Sequence, residues 1–309
     1  MPARLRGRRG GVRVYRDRVS WWEAIVLGLV QGLTEFLPIS SSAHLRIVGA
    51  LMLDGADVGA TFTAVTQIGT ELAVLVYFRH TIVQVIRRWF ATLPQLREGG
   101  RWHNPFALAD PDARMGWLII VGSLPIAVLG VLFQDAIEGA LRNLWFTVFT
   151  LAFFAVLLWL ADRYGRRAKD LRRLDGRDGV LYGLAQAMAL IPGVSRSGGT
   201  ITAGLAMGYT REAAARYSFL LAIPAVLASG LYQLAKALGG HQDTALPISG
   251  GATLLATVTA FVVGFGVIVW FLRWVSTRSF LPFVVYRLAL ALLIAGLLVG
   301  GTLSPTAGA

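Results

Sequence analysis

Six apolar segments of about 20 residues each restrict the fold of this chain more than any other feature of its sequence. They lie at about 60–79, 116–134, 142–161, 215–236, 250–272 and 284–301. A helix needs about 20 residues to cross a hydrocarbon layer ~30 Å thick. Only 15% of the 309 residues are charged, whereas soluble domains carry roughly 25%. The sequence therefore predicts an all-α polytopic membrane protein with about six transmembrane helices.

Two further hydrophobic segments, at about 22–53 and 179–208, are similar to each other, and each is interrupted by a proline. Both contain Gly-Leu-x-Gln, one or two apolar helical turns, a proline and a serine-rich turn, and an offset of 155 relates Gln31 to Gln186. Such backbone is tolerated at membrane depth only where protein or a water-filled cavity surrounds it. The pattern predicts two re-entrant helical hairpins, which often form the working site of a membrane protein.

The distribution of arginine and lysine predicts the topology. Positive charges are concentrated in the segments at 79–115, 162–178, 209–214 and 273–283, whereas 54–59, 135–141 and 237–249 carry few. The positive-inside rule puts the basic segments in the cytoplasm. The hairpins then enter from opposite sides, which predicts an inverted-topology repeat. We expect one membrane domain, 21–301, made of repeats at about 21–161 and 179–301, joined by a basic cytoplasmic loop, 162–178, and followed by a short tail, 302–309.

Residues 1–20 contain seven arginines and no apolar run. They predict a basic disordered tail, and translation from Val19 is an alternative hypothesis. The net charge of +12 is explained by arginines between hydrophobic segments, so we do not expect a nucleic-acid partner. The chain has no cysteine, which excludes disulfides and thiol catalysis.

The first broken segment contains a carboxylate, Glu35, one helical turn after Gln31. A charge there is costly unless it is paired or functional. Glu35 is a candidate metal ligand or general base; the alternative is a structural pair with Arg46 or Arg196. Glu71 lies inside the apolar segment at 60–79. It is a candidate to line the same cavity as Glu35 or to pair with an arginine.

His44 follows a serine cluster, Ser40, Ser41 and Ser42. The histidine is a candidate general acid or base, or a nucleophile for phosphoryl groups; the alternative is a hydrogen-bonded structural histidine. Ser41 is the first candidate for a serine nucleophile, and Ser40 and Ser42 are candidates for binding the pyrophosphate. Each serine is equally well explained as a helix cap.

The second broken segment, Pro192 to Thr200, has the composition of an anion site. Its glycines, Gly198 among them, let backbone N–H groups approach an anion, and the following helix contributes its positive end. Ser195, Ser197 and Thr200 add hydroxyl donors. Arg196 offers a planar fork that fits two phosphate oxygens. An ordinary Ser/Gly turn would not explain an arginine at membrane depth.

The motifs Gln31 to His44 and Pro192 to Ser197 resemble the two signature motifs of bacterial undecaprenyl-pyrophosphate phosphatases, the bacitracin-resistance proteins, and the resemblance covers nearly all of 20–301. It implies hydrolysis of a C55 isoprenyl pyrophosphate to the monophosphate, which recycles the lipid carrier for cell-wall synthesis in the bacterial plasma membrane. It implies interlocked inverted repeats and a divalent cation, Mg²⁺ or Ca²⁺. By motif position, Glu35, Ser41, His44 and Arg196 fall on the family's catalytic positions, with Ser195 and Ser197 beside them.

One position departs from the family pattern: Gln31 stands where many members have a glutamate. An amide binds a cation less strongly, so metal ligation is expected to rest on Glu35 and the substrate phosphates, with Gln31 as an additional candidate. The sequence does not decide whether the nucleophile is Ser41, His44 or water. It also does not decide whether the protein forms a homodimer. The rival function is a polyprenyl-phosphate transporter or flippase that uses the same pocket. The sparsely charged loops predict that the site opens to the outer face.

Overall fold

The structure, a computed structural model, describes residues 19–53, 58–96, 104–133, 141, 143–239 and 249–306. Within these ranges the regular structure is helical, apart from one isolated bridge between Lys169 and Tyr209. The α-helices there are α1 (Trp21–Thr34), α2 (Ser41–Met52), α3 (Ala60–Tyr77), α4 (Arg79–Thr92), α5 (Pro111–Leu132), α6 (Leu144–Tyr164), α7 (Gly176–Ala187), α8 (Arg196–Ala206), α9 (Arg211–Leu238), α10 (Gly250–Thr277) and α11 (Leu281–Val299).

Polar residues set the starts of many of these helices. Ser20 forms a capping box with Glu23 at the start of α1, and this arrangement satisfies backbone N–H groups that have no partner inside the helix. Asn143 and Ser249 cap α6 and α10 in the same way. Ser20 was assigned to the basic tail from the sequence, but in the structure it belongs to the first helix; residues 1–18 lie outside the described part of the chain.

The membrane spans agree with the predicted pattern. In the described part of the chain, five helices, α5, α6, α9, α10 and α11, are long and apolar enough to cross a membrane, and α3 with α4 makes a sixth if that pair, bent by 76°, counts as one span. The expectation of about six spanning helices in an all-helical protein is confirmed.

The segment at 79–115, predicted as a loop, contains a helix instead. Val83, Ile86 and Phe90 of α4 are exposed apolar residues, and arginines share the same helix. This mixture lowers the mean hydropathy below that of a spanning helix, so the sequence pattern concealed α4. The 76° bend between α3 and α4 is consistent with α4 lying along a membrane surface.

Both broken segments fold as a helix, an irregular turn and a second helix. The first hairpin consists of α1, a break at 35–40, and α2; the second consists of α7, a break at 188–195, and α8. Ser40 and Ser195, related by the offset of 155, both have positive φ angles, 72° and 70°. Each serine caps the following helix, and its hydroxyl oxygen lies 3.2 Å from the hydroxyl oxygen of the serine two residues later in the chain. The internal repeat is therefore repeated in backbone geometry and in hydrogen bonding.

The two halves of the chain interlock. Helix α1 packs against α10, and α7 packs against α5, so the first helix of each hairpin rests on a long helix of the other half. Glycine permits the close approach: a Cβ added at Gly28 would lie 2.5 Å from the carbonyl oxygen of Ala256, and one at Gly183 would lie 2.7 Å from Gly122. Among the described residues, three candidate spans separate the hairpins when the bent pair α3 and α4 counts as one. An odd number of crossings gives two re-entrant hairpins opposite orientations.

The interior and the exterior of the helix bundle are both apolar. A buried cluster around Phe36, Phe78, Phe219 and Phe271 packs beside the first break. The outer faces of the long helices carry many exposed large apolar side chains, which is the surface expected of a protein that faces lipid. The predicted tail at 302–309 is partly packed: Leu303 is buried, and the carbonyl of Pro305 accepts a hydrogen bond from the backbone of Leu144.

Candidate active site

The breaks of the two hairpins contact each other directly. The hydroxyl of Ser197 donates to the backbone carbonyl of Leu37 at 3.0 Å and lies 3.4 Å from that of Glu35. This serine was predicted to bind phosphate; in the structure its hydroxyl joins the hairpins. The contact brings the two motifs, about 160 residues apart in the chain, into one site.

A buried arginine, Arg287 on α11, holds this junction together. Its guanidinium donates to the carbonyls of Pro38 in the first break and of Gly193 and Val194 in the second, at 2.9–3.1 Å, and to that of Leu151 on α6 at 3.1 Å. The side chain is fully buried. Arg287 is not among the residues predicted above, although an arginine inside the apolar segment at 284–301 is the same signal that pointed to Arg196.

Glu35 is the centre of the polar cluster at the junction. One carboxylate oxygen pairs with Nη2 of Arg196 at 2.7 Å. The other accepts hydrogen bonds from the amide of Gln31 at 2.9 Å and from the hydroxyl of Ser41 at 2.6 Å. Of the two arginine partners considered for Glu35, the structure selects Arg196. The structure thus brings together four residues that the sequence singled out.

Glu71 enters the same cluster from α3. Its carboxylate is 4.0 Å from Nη1 of Arg196, and its side chain is 1% exposed. Both alternatives proposed from the sequence, a place in the site and a pairing with an arginine, describe its position. The guanidinium of Arg196 therefore lies between two carboxylates, one in close contact and one farther away.

His44 has different partners from those considered for catalysis. Its Nδ1 is 2.7 Å from the carbonyl of Ser40, and its Nε2 is 2.6 Å from the hydroxyl of Tyr286. Because a carbonyl only accepts, Nδ1 carries a proton, and Nε2 accepts from Tyr286 when the ring is neutral. The rings of His44 and Tyr286 also stack, with centroids 5.5 Å apart. Ser41 is hydrogen-bonded to Glu35 rather than to His44.

The remaining predicted phosphate-binding groups mostly bond within the protein. Ser40 and Ser195 cap their helices, and the Gly198 N–H donates to Ser195. The Thr200 hydroxyl bonds to the Arg196 carbonyl and to Ser218. Of the hydroxyls predicted to bind phosphate, Ser42 is exposed.

A cavity of about 310 Å³ is lined in part by Ser42 and Ala43, the two residues that follow Ser41 in the chain. Its polar lining includes Arg46, Gln67 and Gln233. The cavity is bounded by the beginnings of α3 and α6 and by the last third of α9. These helix ends connect to the sparsely charged segments of the chain, so the cavity lies at the end of the bundle opposite the basic loops. Asp54 and Asp57, in the sparsely charged segment at 54–59, lie outside the described residues.

The oxygen atoms of the cluster fit a hard divalent cation. Carboxylates and amide oxygens are the ligands that Mg²⁺ and Ca²⁺ prefer, and Glu35, Glu71 and Gln31 supply them. Two buried oxygens, Oε1 of Gln31 and Oε1 of Glu71, have no hydrogen-bond partner among the described residues. The described part of the chain contains no group of three or more His, Asp or Glu that would complete a site alone, so oxygens of an anionic ligand would be needed.

The fold and site define a multi-pass membrane protein with a buried arginine–carboxylate site between two broken helical hairpins. Comparison with known proteins agrees with this description. The family described as "Bacitracin resistance protein BacA" matches residues 24–293, and the chain belongs to this family.

Several similar proteins cover almost the whole chain. An "Undecaprenyl-diphosphatase" of Micrococcus luteus is 60% identical over 286 residues, which are 93% of this chain and 100% of that protein. An "Undecaprenyl-diphosphatase" of Paenarthrobacter aurescens is 60% identical over 274 residues, 89% of this chain and 95% of that protein. An "Undecaprenyl-diphosphatase 2" of Agrobacterium fabrum is 56% identical over 286 residues, 93% of this chain and 98% of that protein.

Proposed function

We propose that this protein is an undecaprenyl-diphosphatase, which hydrolyses undecaprenyl pyrophosphate to undecaprenyl phosphate and inorganic phosphate. The observation that carries the proposal is the Arg196–Glu35 pair at the junction of the hairpins, in a chain 60% identical to a protein of that name. The product is the lipid carrier used in peptidoglycan synthesis, and its recycling is the basis of bacitracin resistance.

The substrate has two chemically different parts, and the molecule has a surface for each. The C55 tail remains in lipid against the apolar outer faces of the helices. The pyrophosphate head binds beside the cavity at Ser42, where the Arg196 fork contacts its oxygens. Hydrolysis breaks the bond between the terminal phosphorus and the bridging oxygen; water supplies the hydroxyl of the released phosphate, and the bridging oxygen stays with the lipid.

Positioning and charge stabilisation dominate phosphoryl transfer. Arg196 stabilises the negative charge that develops on the phosphoryl oxygens. The 2.6 Å hydrogen bond from Ser41 to Glu35 supports a role for Glu35 as the base that accepts a proton from Ser41 or from water. His44, which contacts the Ser40 carbonyl and the Tyr286 hydroxyl, would protonate the departing oxygen in its imidazolium form. A direct attack by His44 is the alternative.

A divalent cation, Mg²⁺ or Ca²⁺, held by Glu35 with Gln31 and substrate oxygens, would neutralise phosphate charge in the site. The cavity at the sparsely charged end supports a site that opens to the outer face of the bacterial plasma membrane.

Transport is the second candidate function, because paired broken hairpins around a buried charged site are also typical of secondary transporters. The deciding experiment measures phosphate release from undecaprenyl pyrophosphate by the purified, detergent-solubilised protein, with Mg²⁺, with Ca²⁺ and with a chelator. Cation-dependent release supports the phosphatase. If the folded protein releases no phosphate under any condition, transport of a polyprenyl phosphate between liposome leaflets becomes the activity to measure. Light scattering of the same preparation distinguishes a monomer from a homodimer.

A further inference from the structure

Glu71 lies outside both hairpins, and its burial needs an explanation. It is on α3, its side chain is 1% exposed, and its nearest ionic partner is Arg196, 4.0 Å away. Its Oε1 has no hydrogen-bond partner among the described residues. Burying a carboxylate that is only loosely paired is costly, so an ionised Glu71 requires a further partner.

Three polar atoms without hydrogen bonds belong to this one cluster. They are Oε1 of Glu71, Oε1 of Gln31 and Nη1 of Arg196, and all three are buried. Gln31 and Arg196 both contact Glu35. Buried polar groups in native proteins are satisfied by protein, water or a ligand. Two unsatisfied oxygens around an arginine and a carboxylate indicate a bound ligand that supplies positive charge to the oxygens.

The balance of charge leads to the same conclusion. Glu35, Glu71 and Arg196 together carry one net negative charge when all are ionised. When Arg196 binds a phosphate, its guanidinium is shared between the anion and the two carboxylates. Leaving two buried carboxylates short of positive charge is costly. One or two carboxylates together with substrate phosphate oxygens are the usual ligands of protein-bound Mg²⁺.

We propose that Glu71 is a carboxylate ligand of a divalent cation, which it shares with Glu35, with the Gln31 amide oxygen and with phosphate oxygens of the substrate. The second carboxylate of this site thus comes from α3, outside the two sequence motifs. This inference rests on the proposed function only for the identity of the phosphate-bearing ligand.

The test measures cation binding without turnover. Calorimetric titration of Ca²⁺ into the detergent-solubilised protein, in the presence of methylenediphosphonate as a non-hydrolysable pyrophosphate, gives the dissociation constant. Glu71→Gln removes the charge and keeps the shape, and we expect it to weaken Ca²⁺ binding at least about tenfold, the lower range for altering a group that supports a metal. Glu23→Gln is the matched control: it is a buried glutamate in the α1 capping box, where glutamine serves equally.

Rescue distinguishes ligation from folding. Adding Gln31→Glu to Glu71→Gln returns a second carboxylate to the cluster, and we expect the double variant to recover most of the lost affinity. Ca²⁺ binding by Glu71→Gln that equals wild type, or absent binding in the wild-type protein, would overturn the proposal. If cation binding depends on Glu71 but the wild type hydrolyses no undecaprenyl pyrophosphate, the cation site stands and the proposed function fails.

Discussion

Glu35, Arg196 and Arg287 keep their charges within an apolar bundle because each has polar partners from a distant segment. Glu35 accepts from Gln31, Ser41 and Arg196. Arg287 donates to four backbone carbonyls, three of which lie in the two breaks and one on α6. Removing one member of a buried pair costs about 3–5 kcal/mol, so we expect these residues to contribute to the stability of the fold.

His44 depends on Tyr286 in the same way, and this contact is testable. Tyr286→Phe removes the hydrogen bond to Nε2 and keeps the stacked ring. A neutral hydrogen bond is worth about 0.5–1.5 kcal/mol, so we expect kcat for phosphate release to fall roughly 2- to 12-fold. Tyr232→Phe, on the exposed face of α9, is the control and should leave kcat unchanged. Equal kcat values for Tyr286→Phe and Tyr232→Phe would show that the Tyr286 hydroxyl does not contribute to phosphate release.

Among the secondary-structure elements, the sequence determined the long helices and the two breaks, because apolar length and proline act locally. The amphipathic α4 escaped prediction because its arginines interrupt the apolar run. Long-range contacts could not be predicted from the sequence: His44 on α2 and Tyr286 on α11 are 242 residues apart, and no local pattern relates them. Arg287 did carry a signal, an arginine in a spanning segment. The hydrogen-bond partner of the Ser41 hydroxyl depends on how the break folds. The sequence alone could therefore not show whether that partner is Glu35 or His44.

The hairpin breaks depend on Arg287 for their geometry. Arg287→Lys keeps the charge but loses the planar fork that reaches several carbonyls. Because buried carbonyls left unsatisfied cost about 1–3 kcal/mol each, we expect a thermal denaturation midpoint several degrees below wild type in detergent. Arg273→Lys, at an exposed position near the end of α10, should match wild type. An unchanged midpoint for Arg287→Lys would contradict a structural role for the fork.

For the whole molecule, charge asymmetry and the position of the cavity lead to one orientation. Basic residues gather at the ends of α6, α7 and α9 that face the loop at 162–178, whereas the cavity lies at the opposite end. The interlocked halves place both hairpin breaks between these two ends. In the proposed function, a lipid headgroup would enter this cavity from the sparsely charged end and reach Ser42 without passing the basic loops.

This orientation can be measured because the chain contains no cysteine. Single variants Ser304→Cys and Arg177→Cys place a thiol at exposed positions beyond the end of α11 and near the start of α7. In intact spheroplasts, a membrane-impermeant maleimide should label Ser304→Cys, and it should label Arg177→Cys only after lysis. The reverse labelling pattern would place the cavity in the cytoplasm and contradict the outer-face proposal.

The central claim is that Arg196 binds and stabilises the pyrophosphate during hydrolysis, and phosphate release by its variants tests that claim most directly. Arg196→Lys keeps a charge beside Glu35, and Arg196→Ala removes it; Arg177→Lys, at an exposed site, is the control. We expect both Arg196 variants to lose about 10²–10³-fold or more in turnover of undecaprenyl pyrophosphate, while Arg196→Lys keeps the wild-type denaturation midpoint within a few degrees. Near-normal turnover by either folded Arg196 variant would contradict the account.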